Sequence, residues 1–330
     1  MSRLRDSFGR TIDDLRISIT DRCNLRCTYC MPEEGLPWLP REAILSYEEI
    51  LRLARLFIGL GVRTIRLTGG EPLIRKGLPT LIRGLIAAEP SLDLSITTNG
   101  VFLRDQAAAL ASAGLKRINV SLDSLHPDRF ERLVRRPGAM IDAILEGIRE
   151  ARRVGLSPVK VNCVVMRGIN DDEIVDFVRR GRCEGFQVRF IEFMPLDAQG
   201  EWAMRDVVPG AEILARIQER FPVLPPTESG PEPATVYRFA DGDGSVGIIA
   251  SVTQPFCDHC NRVRITADGQ LRTCLFSLKE FPLKDRLRSG ATDAELQDFI
   301  LASVWKKEPG HKINQPDFVK PERTMSAIGG

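Results

Sequence analysis

The sequence predicts an α/β fold: an incomplete, laterally open (β/α)6 TIM-like barrel followed by a small α+β extension. Three observations carry this. Short apolar segments alternate with helix-period segments over the first two thirds of the 330 residues. The alternation repeats six times, short of the eight units that close a barrel. Near residue 220 a Pro-rich polar stretch, FPVLPPTESGPEP, ends the pattern.

The strand candidates are LRISIT (15–20), TIRLTG (64–69), LSITTN (94–99), RINVSL (117–122), VKVNCVVM (159–166) and QVRFIEF (187–193). Between the first two, SYEEILRLARLFIGLGV sets Ile50, Leu53, Ala54, Phe57 and Ile58 on one helical face. Ser46 and Glu49 make a capping box at its start, and Gly59 and Gly61 end it. MIDAILEGIREARRVGL has the same period. Parallel strands covered by helices put functional residues at the C-terminal strand ends. We divide the chain into residues 1–221, the partial barrel, and 222–330, the extension. The extension contains the short β-like pieces TVYRFA, VGIIAS, RVRITADG and LRTCLF, then helices around 279–288 and 292–303. Its polar tail, HKINQPDFVKPERTMSAIGG, reads as a flexible end.

Hydrophobic residues make up 43% of the chain and charged residues 27%, an ordinary soluble composition. The net charge of +2 provides no global field for nucleic acid or membrane, so basic function must come from local placement. No apolar run reaches the length of a membrane span, and the N-terminus lacks the layout of a signal peptide. A cytoplasmic location is expected, with the eight cysteines unpaired. Six of them fall into two groups. Cys163 and Cys183 stand apart and read as small buried fillers.

The first group lies in DRCNLRCTYCMP, just past the first strand: Cys23, Cys27 and Cys30, spaced Cys-x3-Cys-x2-Cys. No His or Cys follows soon enough to complete a structural zinc site. A [4Fe–4S] cluster on three thiolates leaves one iron without a protein ligand, open to a chelating small molecule. The spacing, with Tyr29 before the last cysteine, resembles the signature of the radical S-adenosylmethionine (SAM) superfamily. That resemblance implies SAM on the open iron and reductive formation of a 5′-deoxyadenosyl radical. In TGGEP (68–72), Gly69 and Gly70 permit close backbone approach, and Glu71 is placed to accept from an ammonium group. TTNG (97–100) and NVSLDS (119–124) supply small hydroxyls at two further strand ends.

The second group, in PFCDHCNRVRITADGQLRTCLF, is Cys257, Cys260 and Cys274. One reading is a zinc ribbon with His259 as fourth ligand. Another is a redox CxxC pair, which leaves Cys274 without a role. A second [4Fe–4S] cluster with an open iron accounts for all three thiols. Beside it, Arg262 and Arg264 alternate along a strand and point the same way, as bidentate phosphate ligands would. Arg16, Arg66, Lys160 and Arg189 also occupy strand positions. Buried cations are costly unless paired, so their convergence predicts an anionic ligand.

DRCNLRCTYCMP, TGGEPLIR, KVNCVVMRGIND, RFIEFMPL, FCDHCNRVRITADGQLRTCLF and the terminal GG together resemble the GTP 3′,8-cyclase family of molybdenum cofactor biosynthesis, from about residue 7 to the end. The resemblance implies two [4Fe–4S] clusters, one at each end of the cavity, on Cys23, Cys27 and Cys30 and on Cys257, Cys260 and Cys274. It implies a SAM site at Tyr29, Gly70, Ser121 and Met194. A GTP site is implied at Arg16, Arg66, Thr97 (rather than Thr98), Lys160, Arg262, Val263 and Arg264, with Arg189 at the cavity. Arg262, Arg264, Gly329 and Gly330 are implied to assist catalysis, the Gly-Gly end entering the active site. It further implies an external electron donor, a homodimer, and a product passed to cyclic pyranopterin monophosphate synthase.

Overall fold

The computed structural model describes residues 3–197, 199–226 and 230–329. Six parallel strands form its centre: β1 (Asp14–Ser18), β2 (Thr64–Thr68), β3 (Asp93–Thr98), β4 (Arg117–Ser121), β5 (Val159–Val165) and β6 (Gln187–Glu192). Helices α1 (Tyr47–Gly59), α2 (Leu78–Ala88), α3 (Leu103–Ser112), α4 (Pro127–Val134), α5 (Met140–Arg153) and α6 (Ile174–Glu184) connect them. The capping box forms at α1: the Glu49 N–H donates to Ser46 Oγ, and the Ser46 N–H donates to the Glu49 carboxylate. Past β6 come α7 (Gly210–Gln218), β7 (Thr235–Arg238), β8 (Ser245–Ile249), β9 (Arg262–Ile265), β10 (Gln270–Arg272), β11 (Phe281–Pro282), α8 (Leu283–Arg288), α9 (Asp293–Trp305) and α10 (Met325–Ile328).

The later strands join the same sheet. Its order is β11-β10-β9-β1-β2-β3-β4-β5-β6-β8-β7, with β8 parallel to β6 and β9 parallel to β1. Both edges of the six-stranded core, which would otherwise offer unpaired backbone groups, are thereby covered. The chain leaves β8 at its C-terminal end on one side of the sheet and enters β9 at its N-terminal end on the other. Residues 250–261 therefore cross the side that six units leave open. Glu192, at the end of β6, anchors the start of this crossing by accepting from the Val252 and Thr253 N–H groups at 2.7 and 2.8 Å. Arg10 anchors its far end by donating to the Cys257 carbonyl at 2.8 Å.

Strand alternation separates two faces. Ile17, Leu67, Ile96, Ile118, Val161 and Phe190 are buried under the helices. Registers place Arg16, Arg66, Ser95, Thr97, Asn119 and Lys160 on the opposite, inner face. Closed barrels fill this space with branched apolar side chains. Charged and small polar side chains at these positions do not fill the interior, and a cavity remains.

Three expectations need correction. Cys163 is buried, but Cys183 is exposed on the solvent side of α6, whose core face is Ile174, Phe177, Val178 and Gly181. No helix spans 279–288: Phe281 precedes a proline, which favours extended backbone, and the helix starts at Leu283. The tail is not a flexible end. Ile328 is fully buried in a small core with Leu196, Val252 and Phe276, and this holds α10 in place.

Replacing Ser46 by Ala removes the α1 cap and should cost about 1 kcal/mol. Urea unfolding is expected to show a lower midpoint at unchanged slope. An unaltered midpoint would show that the Glu49 ion pair with Arg288 carries the helix start alone.

Candidate functional site

The first cysteine loop leaves the C-terminal end of β1 and rests on two backbone supports. The Arg26 and Thr28 N–H groups donate to the Val134 and Leu133 carbonyls at the end of α4, at 3.0 and 2.9 Å. On the other side, the Gly70 and Glu71 N–H groups donate to the Thr20 and Arg22 carbonyls at 2.8 and 2.7 Å. This contact requires both glycines. A Cβ on Gly69 (φ +150°) would lie 2.4 Å from the Thr20 oxygen, and one on Gly70 would lie 2.3 Å from the Arg22 oxygen.

Glu71 does not face the cavity as expected. Its carboxylate is buried and accepts from Leu73 N–H, Thr98 Oγ1 and Asn99 N–H at 2.9, 2.6 and 2.7 Å. It ties the glycine turn to the end of β3. Thr98 is thereby committed, while Thr97 faces the cavity.

One cavity contains both cysteine sets, together with Tyr29, Gly70, Ser121 and Met194. Topology separates the sets. Cys23, Cys27 and Cys30 follow the C-terminal end of β1, whereas Cys257 and Cys260 precede the N-terminal end of β9. Cys274 follows β10, which runs antiparallel to β9 and so ends on the same side. The thiols therefore lie at opposite ends of the barrel axis.

Burial pushes Cys23 up to about 11 and Cys30 to about 12, and raises Cys27 as well, so these thiols ionise only when a cation joins them. A coordinating metal does this. At Cys260, burial raises the thiol, but Arg262 and Lys307 outweigh it and bring it below its ordinary value. Among the described residues, no three His, Cys, Asp or Glu side chains converge on the position of a single ion. That convergence is what zinc requires, whereas a four-iron cluster holds each thiolate on its own iron. His259 is exposed and does not line the cavity, which removes the proposed fourth zinc ligand. Both thiol sets fit iron–sulfur clusters.

Between the ends, Arg264, Arg16 and Arg66 stand side by side on β9, β1 and β2. With Arg262 they form no ion pair among the described residues, and Arg16 Nε is buried without a partner. Burial and then Arg66 pull Arg16 down to about 9. Burial, Arg189 and Arg117 pull Arg66 to about 10 against the upward pull of the Asp14 carboxylate, and Arg264 is lowered by burial, Arg16 and Arg262, with Asp14 again opposing. A guanidinium keeps its proton in proteins, so an anion is what relieves this crowding. Arg189 differs in having Glu232 at 3.2 Å.

Two expected residues lie elsewhere. Lys160 lines a neighbouring cavity with Arg189 and Glu232. Val263 pairs with Leu15 and buries its side chain under the helices, so it can meet a ligand only through its backbone. Gly329 is inside: its carbonyl accepts from Arg264 Nη1 at 2.9 Å, and a Cβ there would lie 2.7 Å from Ser18 Cβ. Gly330 lies outside the described residues.

Asp123 was missed, although its motif was read for Ser121. It accepts from the Tyr29 hydroxyl at 2.5 Å and from Val164 N–H at 2.8 Å, and burial raises it to about 6. Lys307 and His311 also line the cavity. They lie over thirty residues past Cys274 with no spacing pattern to mark them.

Residues 17–181 match the radical SAM superfamily, and residues 186–313 match the family described as Molybdenum Cofactor Synthesis C. The chain is similar to a GTP 3′,8-cyclase of Streptomyces coelicolor, 48% identical over 99% of this chain and 96% of that one. It is likewise similar to a GTP 3′,8-cyclase of Rhodopirellula baltica, 49% identical over 99% and 92%. Streptococcus suis SuiB shares the fold at TM-score 0.62 and 14% identity, over 97% of this chain and 77% of that one.

Gly70→Ala drives a methyl group into the loop that carries the first thiols. After anaerobic reconstitution, the variant should bind roughly half the iron of the parent, losing the four-iron set at Cys23, Cys27 and Cys30. Iron and sulfide analysis checks this, and full iron content would contradict it.

Proposed function

Because the chain belongs to the GTP 3′,8-cyclase family, a radical SAM enzyme family of molybdenum cofactor biosynthesis, we propose that the cavity holding both thiol sets binds SAM at one end and GTP across the arginine row. When bound, the cluster on Cys23, Cys27 and Cys30 and SAM would supply, with one electron from an external donor, the 5′-deoxyadenosyl radical that removes the GTP C3′ hydrogen; C3′ then bonds to C8, and a second electron and a proton complete (8S)-3′,8-cyclo-7,8-dihydro-GTP. The observation that carries the reading is three abreast arginines that form no ion pair among the described residues and are only partly offset by the buried Asp14 carboxylate, in a cavity with a three-thiol set at either end.

The chain's own part is placement. Tyr29, held by Asp123, Gly70, Ser121 and Met194 line the SAM end. Arg16, Arg66 and Arg264 take the triphosphate, assisted by Arg262 and the Val263 backbone, while Thr97 faces the nucleotide. Lys160 and Arg189 add charge from the barrel's N-terminal side. Cys257, Cys260 and Cys274 hold a second [4Fe–4S] cluster at the guanine end. Fixing a nucleotide at both ends holds C3′ and C8 in a near-attack geometry, which converts a floppy ring closure into an oriented one. Gly329 accepts from Arg264 through its carbonyl, and Gly329 and Gly330 assist catalysis. The division at 221/222 is functional: the first thiols come from one part and the second from the other. A cytoplasmic homodimer, an external electron donor and delivery of the product to cyclic pyranopterin monophosphate synthase complete the proposal. No helix among the described residues is long and apolar enough to cross a membrane.

Anaerobic turnover of reconstituted protein with SAM, a strong reductant and GTP tests the reading. GTP-dependent 5′-deoxyadenosine together with a cyclised dihydro-GTP, followed by mass spectrometry, is expected. Deoxyadenosine formed regardless of GTP would remove the substrate assignment.

Burial, then Arg189, lowers Lys160 to about 8. It is cationic below that pH and neutral above it, so GTP affinity should fall as pH rises through about 8. Bound triphosphate shifts the step upward. Lys160→Met should weaken binding at neutral pH and flatten the step. A Kd for the parent that is level from about pH 7 to 9 would contradict the assignment.

A further inference from the structure

Lys307 is a buried cation without a matching acid. It lies just past α9, is 3% exposed and lines the cavity. Its Nζ donates to the Arg262 carbonyl at 2.9 Å and to the Thr273 carbonyl. These two carbonyls bracket the second thiol set, one residing two positions after Cys260 and the other immediately before Cys274. Among the described residues Lys307 makes no ion pair. Its neighbour Glu308 gives its carboxylate to the Thr273 and Ser277 hydroxyls instead. Uncompensated, a buried ammonium is strongly disfavoured. Through the Arg262 and Thr273 carbonyls its ammonium is placed beside the chain at Cys260 and Cys274, and it lines the same cavity as all three thiols. Among the described residues that line the cavity, no other lysine stands at the end that carries Cys23, Cys27 and Cys30.

We propose that Lys307 is the counter-charge of the second iron–sulfur site: its ammonium, fixed between β9 and the Cys274 loop, offsets the negative charge of the three thiolates and raises the reduction potential of the cluster they hold. This rests on reading that site as a [4Fe–4S] cluster. One-electron reduction by an external donor makes the site one unit more negative, with no bond made or broken and no proton needed. A fixed cation in a low-dielectric surround favours that state.

The competing role is a strut, in which the side chain only ties two carbonyls together. Two variants separate charge from tie. Lys307→Gln keeps hydrogen-bond donors and loses the charge. Lys307→Arg keeps the charge. Both are made in full-length protein carrying Cys23→Ala, Cys27→Ala and Cys30→Ala, so that only the second site can hold a cluster. Iron content and a one-electron redox titration followed by electron paramagnetic resonance are the readouts.

Lys307→Gln is expected to retain the cluster and to lower its reduction equilibrium at least tenfold, about 59 mV per decade for one electron. Lys307→Arg should stay within about threefold of the parent. Loss of iron from the Gln variant but not from the Arg variant would equally support the proposal. A Gln variant that titrates at the parent potential overturns it. So do Gln and Arg variants that shift alike or lose iron together, which is the strut's signature. If the parent with the first cysteines removed holds no cluster, the second-cluster reading itself fails and takes this inference with it. An unshifted potential on an intact cluster removes only the inference.

Discussion

Three guanidinium groups side by side on neighbouring parallel strands, forming no ion pair among the described residues and only partly offset by the buried Asp14 carboxylate, are the constraint on which this molecule turns. Arg264, Arg16 and Arg66 share one height in the sheet and one face. A closed barrel would fill that face with apolar side chains. Here the large apolar core sits on the helix side, and the inner face carries arginines and small polar residues on β1 to β4, with Val164, Ile191 and Ile249 completing the cavity wall on β5, β6 and β8. The fold is stable because its core lies outside the barrel, under the helices, where Ile17, Leu67, Ile96 and Phe190 are buried. The cavity can therefore stay open for an anion without emptying the core.

Chain topology then distributes the chemistry along that cavity. A loop following β1 must emerge at the C-terminal end, and a loop preceding β9, parallel to β1, must lie at the other. Two thiol sets more than two hundred residues apart thus face one another along the barrel axis, with the arginine row between them. The crossing segment 250–261 closes the side that six β/α units leave open and delivers Cys257 and Cys260. Arg10, paired with Asp6, holds the end of that crossing to the chain's N-terminal segment. The buried C-terminal turn brings Gly329 to Arg264 from a different direction. The electrostatics of the two ends differ: burial raises all three first thiols, whereas at the second set Arg262 and Lys307 bring Cys260 below its ordinary value.

Much of this was legible in the sequence. All six central strands fall within a residue or two of their apolar segments, because parallel buried strands are short runs bounded by turn residues. The capping box at Ser46 and Glu49 is local chemistry and could be read locally. Both thiol sets and the arginine alternation of Arg262 and Arg264 are carried by spacing. What could not be read depends on distant parts of the chain. Glu71 sits in the right motif, yet its carboxylate is claimed by Thr98 and Asn99, and only the tertiary contact reveals that. Val263 lies between two cavity arginines, so alternation should have turned its side chain away. The tail looked polar and free because its anchors need distant partners: Ile328 a pocket made by Leu196, Val252 and Phe276, and Arg323 the carboxylates of Asp268 and Glu280. Lys307 has no motif at all. The absence of any partner acid marks it, and that is visible only when the side chains are in place.

The most direct test of the account is the affinity of the reconstituted protein for GTP, GDP, GMP and guanosine, measured anaerobically at fixed ionic strength, in the parent and in Arg16→Ala, Arg66→Ala and Arg264→Ala variants. If the unpaired arginine row is the polyphosphate site, affinity falls with each phosphate removed, and each substitution narrows the gap between GTP and GMP by roughly tenfold or more. Guanosine binding as tightly as GTP, or arginine variants that leave the phosphate series unchanged, would contradict the account at its centre.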